Sequence, residues 1–201
     1  MESTAEPATP PIPAVESGAM ALHQAMALHQ AGPIEPRMLR RVCGLFVTGV
    51  TVVTSGGRDR AAGTTVNSFT SVSLDPPLVL FCLHRDSRLA PVVRASGMFV
   101  VNFLAGRQES LAWAFARSET AVMENAEHHR SGAGAPILSD ALSFLVCRLS
   151  NEIEGGDHTI FLGEVVELGV PRHDREPLIF FGGSMGTLER EPMPIHPIWD
   201  G

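Results

Sequence analysis

The chain has 201 residues, 44% of them hydrophobic, with 15 basic and 22 acidic residues and a formal net charge of −7. That length and apolar content suit one domain with a sizeable core and room for a tail. The charge leaves no basic footprint for nucleic acid or an anionic membrane surface, and no apolar run approaches a membrane span.

Residues 1–35 read as a flexible tail, because Pro7, Pro10, Pro11 and Pro13 sit among Ala, Ser, Thr and Glu in a composition that cannot bury a core. The hexapeptide Ala-Met-Ala-Leu-His-Gln occurs there twice, at 19–24 and 25–30. Its residues favour helix, but His23 and His29 stand six apart, which does not suit paired metal ligands on one helix face. The tail has no basic residue before Arg37 and no continuous apolar segment, so a cytoplasmic protein without a secretory signal is expected.

The domain proper is expected over 36–201. Met38, Leu39, Val42, Leu45 and Phe46 recur at helical spacing behind Pro36, which predicts a helix over 36–46. Val47 to Ser55 has the β-branched density of a strand, and Gly56-Gly57-Arg58-Asp59 turns it into a second strand over Gly63 to Leu74. This second stretch, continued to Pro77, places Thr64, Thr65, Ser68, Thr70, Ser71 and Ser73 within ten residues, interleaved with Val66, Phe69, Val72 and Leu74. As one strand it would carry hydroxyls on one face and apolar groups on the other. Small hydroxyls and free backbone N–H groups can bind a phosphate or the polar edge of a ring, although an edge strand of an ordinary β-domain has the same composition.

Leu78 to Leu83 is a continuous apolar run that predicts a strand buried on both faces, and Leu89 to Ala95 a short helix capped by Asp86 or Ser87. Arg85, Ser87 and Arg88 at that helix start form a candidate anion site. Met98 to Leu104 reads as a strand, and Gln108 to Arg117 as a helix with Leu111, Ala112, Trp113 and Phe115 toward the core. Residues 118–135 look like a polar excursion, whose adjacent His128 and His129 lack a cysteine partner for a metal site. Phe144 to Ile153, Thr159 to Val170 and Pro177 to Phe181 complete about six strands joined by hairpins, a pattern that favours an antiparallel barrel over a βαβ sheet. No G-x-G-x-x-G follows a strand, so a dinucleotide fold of that kind is unsupported. Cys43, Cys82 and Cys147, widely spaced in apolar settings, are expected as buried free thiols.

Three separated blocks, Gly49-Val50-Thr51-Val52-Val53, Thr65 to Pro77 and Gly156-Asp157-His158-Thr159, resemble the signature blocks of the flavin reductase family, across about Pro36 to Leu188. The resemblance implies a mainly β fold, an antiparallel Greek-key split barrel that binds flavin, with a few flanking helices. It also implies hydride transfer from NADH, or NADPH, to FMN or FAD, the reduced flavin diffusing to a separate monooxygenase. Residues carried over for the flavin are Thr51, Val52, Asn67, Ser68, Phe69, Thr70, Ser71, Ser73, Cys82, Ser87, Arg88 and Phe103. For the nicotinamide they are His158, Phe181 and Gly183, with no acid or base side chain and no metal required. Asp157 is expected to fix the turn or orient His158. The resemblance further implies a homodimer. The sequence departs from the family in lacking an aromatic-rich segment over 118–135 and in having Met185 where an aromatic is usual. No arginine cluster suited to a 2′-phosphate is evident, which favours NADH. Two other readings remain open on the sequence: a flavin-retaining electron-transfer protein of the same fold, and a split-barrel oxidase of a pyridoxal-type substrate, to which the absence of Lys is unfavourable.

Overall fold

A computed structural model describes residues 32–57, 60–117, 122–169 and 175–188. The tail repeats with His23 and His29, and Arg58-Asp59 of the first hairpin, lie outside the described residues. The chain divides into two units, Met1–Val42 and Cys43–Gly201.

Helix α1 spans Pro36–Cys43, and Met38, Leu39 and Val42 on it are exposed. It stops three residues short of the expected end, because Phe46 N–H closes a tight turn on the Cys43 carbonyl at Gly44.

In the second unit every strand pairing is antiparallel. In chain order the strands are β1 Thr48–Gly49, β2 Thr51–Gly56, β3 Ala61–Val66, β4 Thr70–Leu74, β5 Pro77–His84, β6 Met98–Phe103, β7 His128–Arg130, β8 Pro136–Leu138, β9 Ser143–Gly155, β10 His158–Leu168, β11 Leu178–Phe181 and β12 Ser184–Thr187. The helices are α2 Ala90–Ser96, α3 Glu109–Ala116 and α4 Val122–Asn125. The main sheet has seven strands in the order β3-β2-β6-β9-β10-β5-β4, with β1-β11-β12 and β7-β8 as smaller sheets. A mainly β, antiparallel split-barrel architecture with few helices is what the resemblance implied.

The strand order corrects the reading of Gly63 to Leu74 as one strand. The run breaks at Asn67-Ser68-Phe69, and its halves β3 and β4 lie at opposite edges of the seven-stranded sheet. A serine hydroxyl can both donate and accept, and so can take the place of a peptide group in a ladder. Here Ser68 Oγ accepts the Cys82 N–H at 3.0 Å and donates to the Cys82 carbonyl at 3.2 Å, which draws the chain off β2 and onto β5.

Strand β2 is buried along its whole length because both faces of the sheet are covered. On one side Val53 packs with Val79, Phe81, Leu83, Phe99 and Phe161. The Phe81 ring stands 4.9 Å from Phe99 and 5.3 Å from Phe161 between centroids. On the other side Val52 packs with Leu104, Ala112, Phe115, Met123 and Leu178. Each such large side chain contributes about 1.5–3 kcal/mol by leaving water. Asn102 is buried among them with its amide satisfied: Nδ2 donates to the Val52 carbonyl and Thr54 Oγ1, and Oδ1 accepts the Leu138 N–H.

Several expectations need correction. Strand β5 is not buried on both faces; Val79, Phe81 and Leu83 are buried, while Leu78, Leu80 and Cys82 are half-buried on the other face. Residues 122–135 are more than a polar excursion, because Met123, Ala126 and Ala135 enter the core between the charged residues. Trp113 faces outward, its Nε1 donating to Glu109 Oε1 at 3.2 Å, while Ala112 and Phe115 take the core positions. Strand β12 was not expected; Gly182 and Gly183 have positive φ of 60° and 90°, which suits a two-residue turn of the primed kind. Cys43 is exposed rather than buried, Cys82 is half-buried, and burial pushes the Cys147 thiol up to about 12.

Candidate functional site

Two neighbourhoods collect most of the residues singled out in the sequence. The first forms where the run crosses between the sheet edges. Thr51 pairs with Val66 on one side and Phe103 on the other, and its Oγ1 donates to the Val66 carbonyl at 3.0 Å. The Phe103 ring meets Phe69 edge-on at 5.1 Å, and the preceding residue, Ser68, ties the crossing to Cys82. Asn67 at the start of the crossing, and Thr70 and Ser71 beyond it, are exposed. Strand β4 ends the sheet, so among the described residues one of its edges carries no strand partner.

The expected residues therefore sit at different depths. Thr51 and Val52 are buried, 3% and 0% exposed, and lie beneath the surface rather than on it. Ser73 is half-buried and its hydroxyl accepts the Asp75 N–H at 3.2 Å. Burial raises the Cys82 thiol, with the Ser68 hydrogen bond acting the other way, so it stays a neutral thiol at neutral pH.

The second neighbourhood is the rim where β5 ends and β10 begins. His84 and His158 are register partners there, their rings edge-to-face at 5.4 Å. His158 Nδ1 lies 2.8 Å from Asp157 Oδ1, and this hydrogen bond is the main cause holding the Asp157 carboxyl below the usual carboxylate range. Arg85 locks the rim, since its backbone N–H donates to the Asp157 carbonyl at 3.0 Å and its guanidinium to the Gly156 carbonyl at 2.9 Å. Asp157 thus orients His158, as the turn reading expected. Ser87 Oγ accepts the Leu89 N–H at 3.3 Å, but the N-cap of α2, which begins at Ala90, is Leu89 and makes no side-chain cap bond, so neither Asp86 nor Ser87 caps the helix as expected. Arg88 is exposed at the same rim. Sequence reasoning missed His84; the signal was its position as the first polar residue after an apolar strand.

Phe181 and Gly183 stand apart from this rim, on the β11–β12 hairpin of the three-stranded sheet, both exposed. The hairpin is anchored through the Gly182 N–H to the Gly44 carbonyl and through Leu178, whose N–H donates to the Leu104 carbonyl and whose carbonyl accepts the Val50 N–H. The described residues contain no group of three His, Cys, Asp or Glu side chains able to hold a metal ion. His128 instead places Nδ1 2.8 Å from the Ala126 carbonyl. Among the described residues no helix is long and apolar enough to cross a membrane.

The donor set fits a flavin on chemical grounds: an unpartnered strand edge, the exposed Asn67, Thr70 and Ser71, and a half-buried aromatic pair beside them. Comparison with known proteins supplies an independent line. Residues 43–189 match a family model described as a flavin reductase like domain. A Streptomyces globisporus protein named NADH-dependent FAD reductase is 42% identical over 160 residues, covering 75% of this chain and 85% of that protein. A Mycobacterium tuberculosis protein named flavin-dependent monooxygenase, reductase subunit HsaB, is 36% identical over 165 residues, covering 81% and 88%. Among solved structures, the Streptomyces globisporus C-1027 NADH:FAD oxidoreductase SgcE6 in complex with NAD and FAD fragments superposes with a TM-score of 0.72 at 40% identity, covering 81% of this chain and 98% of that one.

Proposed function

The chain belongs to the flavin reductase family, and from that premise we propose that it oxidises NADH and passes the hydride to FMN or FAD as the reductase component of a two-component monooxygenase. The observation that carries this is the match over residues 43–189, together with relatives named as NADH-dependent FMN and FAD reductases. When bound, the flavin accepts a hydride at N5 from C4 of the reduced nicotinamide.

The chain's own residues bind, orient and exclude water. Backbone N–H groups along Asn67 to Ser71, with the hydroxyls of Thr70 and Ser71, take the polar edge of the flavin and favour the negative charge that develops on reduction. Phe69 and Phe103 form an apolar wall beside it, Ser68 and Cys82 hold the crossing in place, and Thr51, Val52 and Ser73 support it from beneath. Ser87 and Arg88 meet the phosphate. His158, oriented by Asp157, contacts the nicotinamide nucleotide, with Phe181 and Gly183 near the ring. No acid or base is needed, because hydride transfer between two bound rings rests on positioning.

Three further parts of the reading are proposals on the same footing. The protein is a homodimer, to which the exposed Val72 and Leu74 on β4 lend support. It is cytoplasmic. Residues 1–35 are a tail whose removal leaves NADH oxidation unchanged. Sedimentation and assay of a protein starting at Pro36 test the first and third.

The deciding experiment follows NADH oxidation at 340 nm with and without added FMN or FAD, and with NADPH in parallel. Oxidation that appears only with added flavin, and saturates in it, is the expected result. A flavin retained through gel filtration without turnover would instead make this a flavin-binding protein.

A further inference from the structure

Asp140, between β8 and β9, is the one non-glycine with positive φ among the described residues, at 64°. A left-handed backbone is unfavourable for a residue with a Cβ, and it persists where the surroundings hold it. Two arginines do so here. Arg107 Nη2 lies 2.8 Å from Asp140 Oδ1, and Arg175 Nη1 donates both to the Asp140 carbonyl at 3.0 Å and to Oδ1 at 3.1 Å. The Arg175 bond is the main cause holding the Asp140 carboxyl below the usual carboxylate range, so the group is ionised at neutral pH.

The arginines come from segments that lead to different parts of the site. Arg107 is in the turn Gly106–Gln108, just past Phe103 at the end of β6, and Arg175 stands shortly before β11, which leads to Phe181 and Gly183. The main chain joins the same two segments through the Ala105–Pro177 bridge and through the Gly106 N–H, which donates to the Glu176 carbonyl at 2.9 Å. The stretch around Asp140 is tied to the β6 end as well. The Leu142 N–H donates to the Phe103 carbonyl at 2.8 Å, and Gln108 Nε2 to the Ser139 carbonyl at 3.1 Å. Strand β11 has four residues and its partner β1 has two, so few ladder bonds fix the hairpin and the fastening at its base carries weight.

We propose that Asp140 is a positioning residue for the nicotinamide: by drawing Arg107 and Arg175 onto one carboxylate, it holds the β11–β12 hairpin, with Phe181 and Gly183, at one setting against the flavin wall at Phe103. The proposal rests on the reading of the protein as an NADH-dependent reductase. Without the carboxylate the two guanidinium groups repel, and the hairpin spends part of its time away from the binding position. The KM for NADH then rises by the inverse of the fraction correctly placed, whereas kcat at saturating NADH and the KM for flavin stay as they were.

The test assays full-length Asp140→Asn, Asp140→Gly and Arg175→Gln beside wild type. Asn keeps the side-chain shape and tolerates the left-handed backbone, and Gly removes the backbone strain together with the charge. Each is expected to raise the KM for NADH about five-fold, with kcat and the KM for flavin within about two-fold of wild type. The direction is informative in itself. Removing a negative charge favours an anionic substrate through the overall field, so bulk electrostatics alone would lower the NADH KM in the two Asp140 variants. Arg175→Gln added to Asp140→Asn brings no further rise, because both break one fastening. An NADH KM within about two-fold of wild type in Asp140→Asn or Asp140→Gly overturns the proposal. So do penalties that multiply in the double variant, or equal rises in both KM values, which mark a general loosening of the fold. If an Asp140 variant does not fold, Arg175→Gln decides by the same criteria. Hydrogen exchange without ligand gives a readout independent of turnover: amides of Leu178–Phe181 and Ser184–Thr187 exchange faster in Asp140→Asn, and those of β9 and β10 do not. Unchanged exchange in the hairpin overturns the fastening. A wild-type protein that oxidises no NADH with added FMN or FAD sinks the reductase reading instead, and hydrogen exchange then judges the fastening alone.

Discussion

Strands β3 and β4 come from one hydroxyl-rich run, separated by three residues, and end with opposite surroundings. Strand β3 is half-buried along its length. Thr65 Oγ1 donates to the Ala112 carbonyl of α3 at 2.6 Å, and Gly63 sits so close to Phe115 that a Cβ there would lie 2.7 Å from the ring. On β4 nothing comparable among the described residues covers Thr70, Ser71, Val72 or Leu74, and Leu74 is 90% exposed. Hydroxyls beneath a helix satisfy the main chain, whereas hydroxyls on an uncovered edge remain for a ligand. Both strands carry small hydroxyls; the cover decides the role.

The contrast predicts stability effects on the β3 side and binding effects on the β4 side. The largest is expected for Phe115→Ala, which empties the space between α3 and β3 and costs about 3–5 kcal/mol in chemical denaturation. Gly63→Ala pushes a methyl into the same ring and costs about 1–3 kcal/mol by the same measurement. Thr65→Val removes the bond to Ala112 at nearly constant volume and costs about 1 kcal/mol. Smallest in stability are Thr70→Ala and Ser71→Ala, within about 0.5 kcal/mol of wild type. These two instead raise the KM for flavin about three- to ten-fold, a factor expected from one lost hydrogen bond. If Thr65→Val weakens flavin binding as much as Ser71→Ala does, the division between the strands fails.

Much of this was legible in the sequence where pattern and local chemistry agree. The apolar Met98–Phe103 and the Gly-Gly-Asp-His turn each gave their element, because alternation and turn residues act over a few positions, whereas the run expected as one strand over Val47 to Ser55 divides at Val50 into β1 and β2, which join different sheets. The three blocks carried the family. What was not legible depended on distant partners. The break at Asn67 to Phe69 follows from Ser68 meeting Cys82, fourteen residues on, and no period within the run announces it. Met123 and Ala126 looked like part of a charged loop because the core they fill is built by β2, α3, β8 and β11. His84 was passed over because its partner, His158, is adjacent only through the β5–β10 register.

The two-way bond between Ser68 and Cys82 continues the β4–β5 ladder with a hydroxyl standing in for a peptide group. The Cys82 amide is consequently protected from solvent deuterium by a side chain that can rotate away without any strand separating. Its exchange reports opening of the crossing alone, while amides held between β5 and β10, such as that of Phe81 or Leu83, wait for the sheet itself to part. Comparing those rates in the presence and absence of flavin separates a ligand that clamps the crossing from one that stiffens the whole barrel.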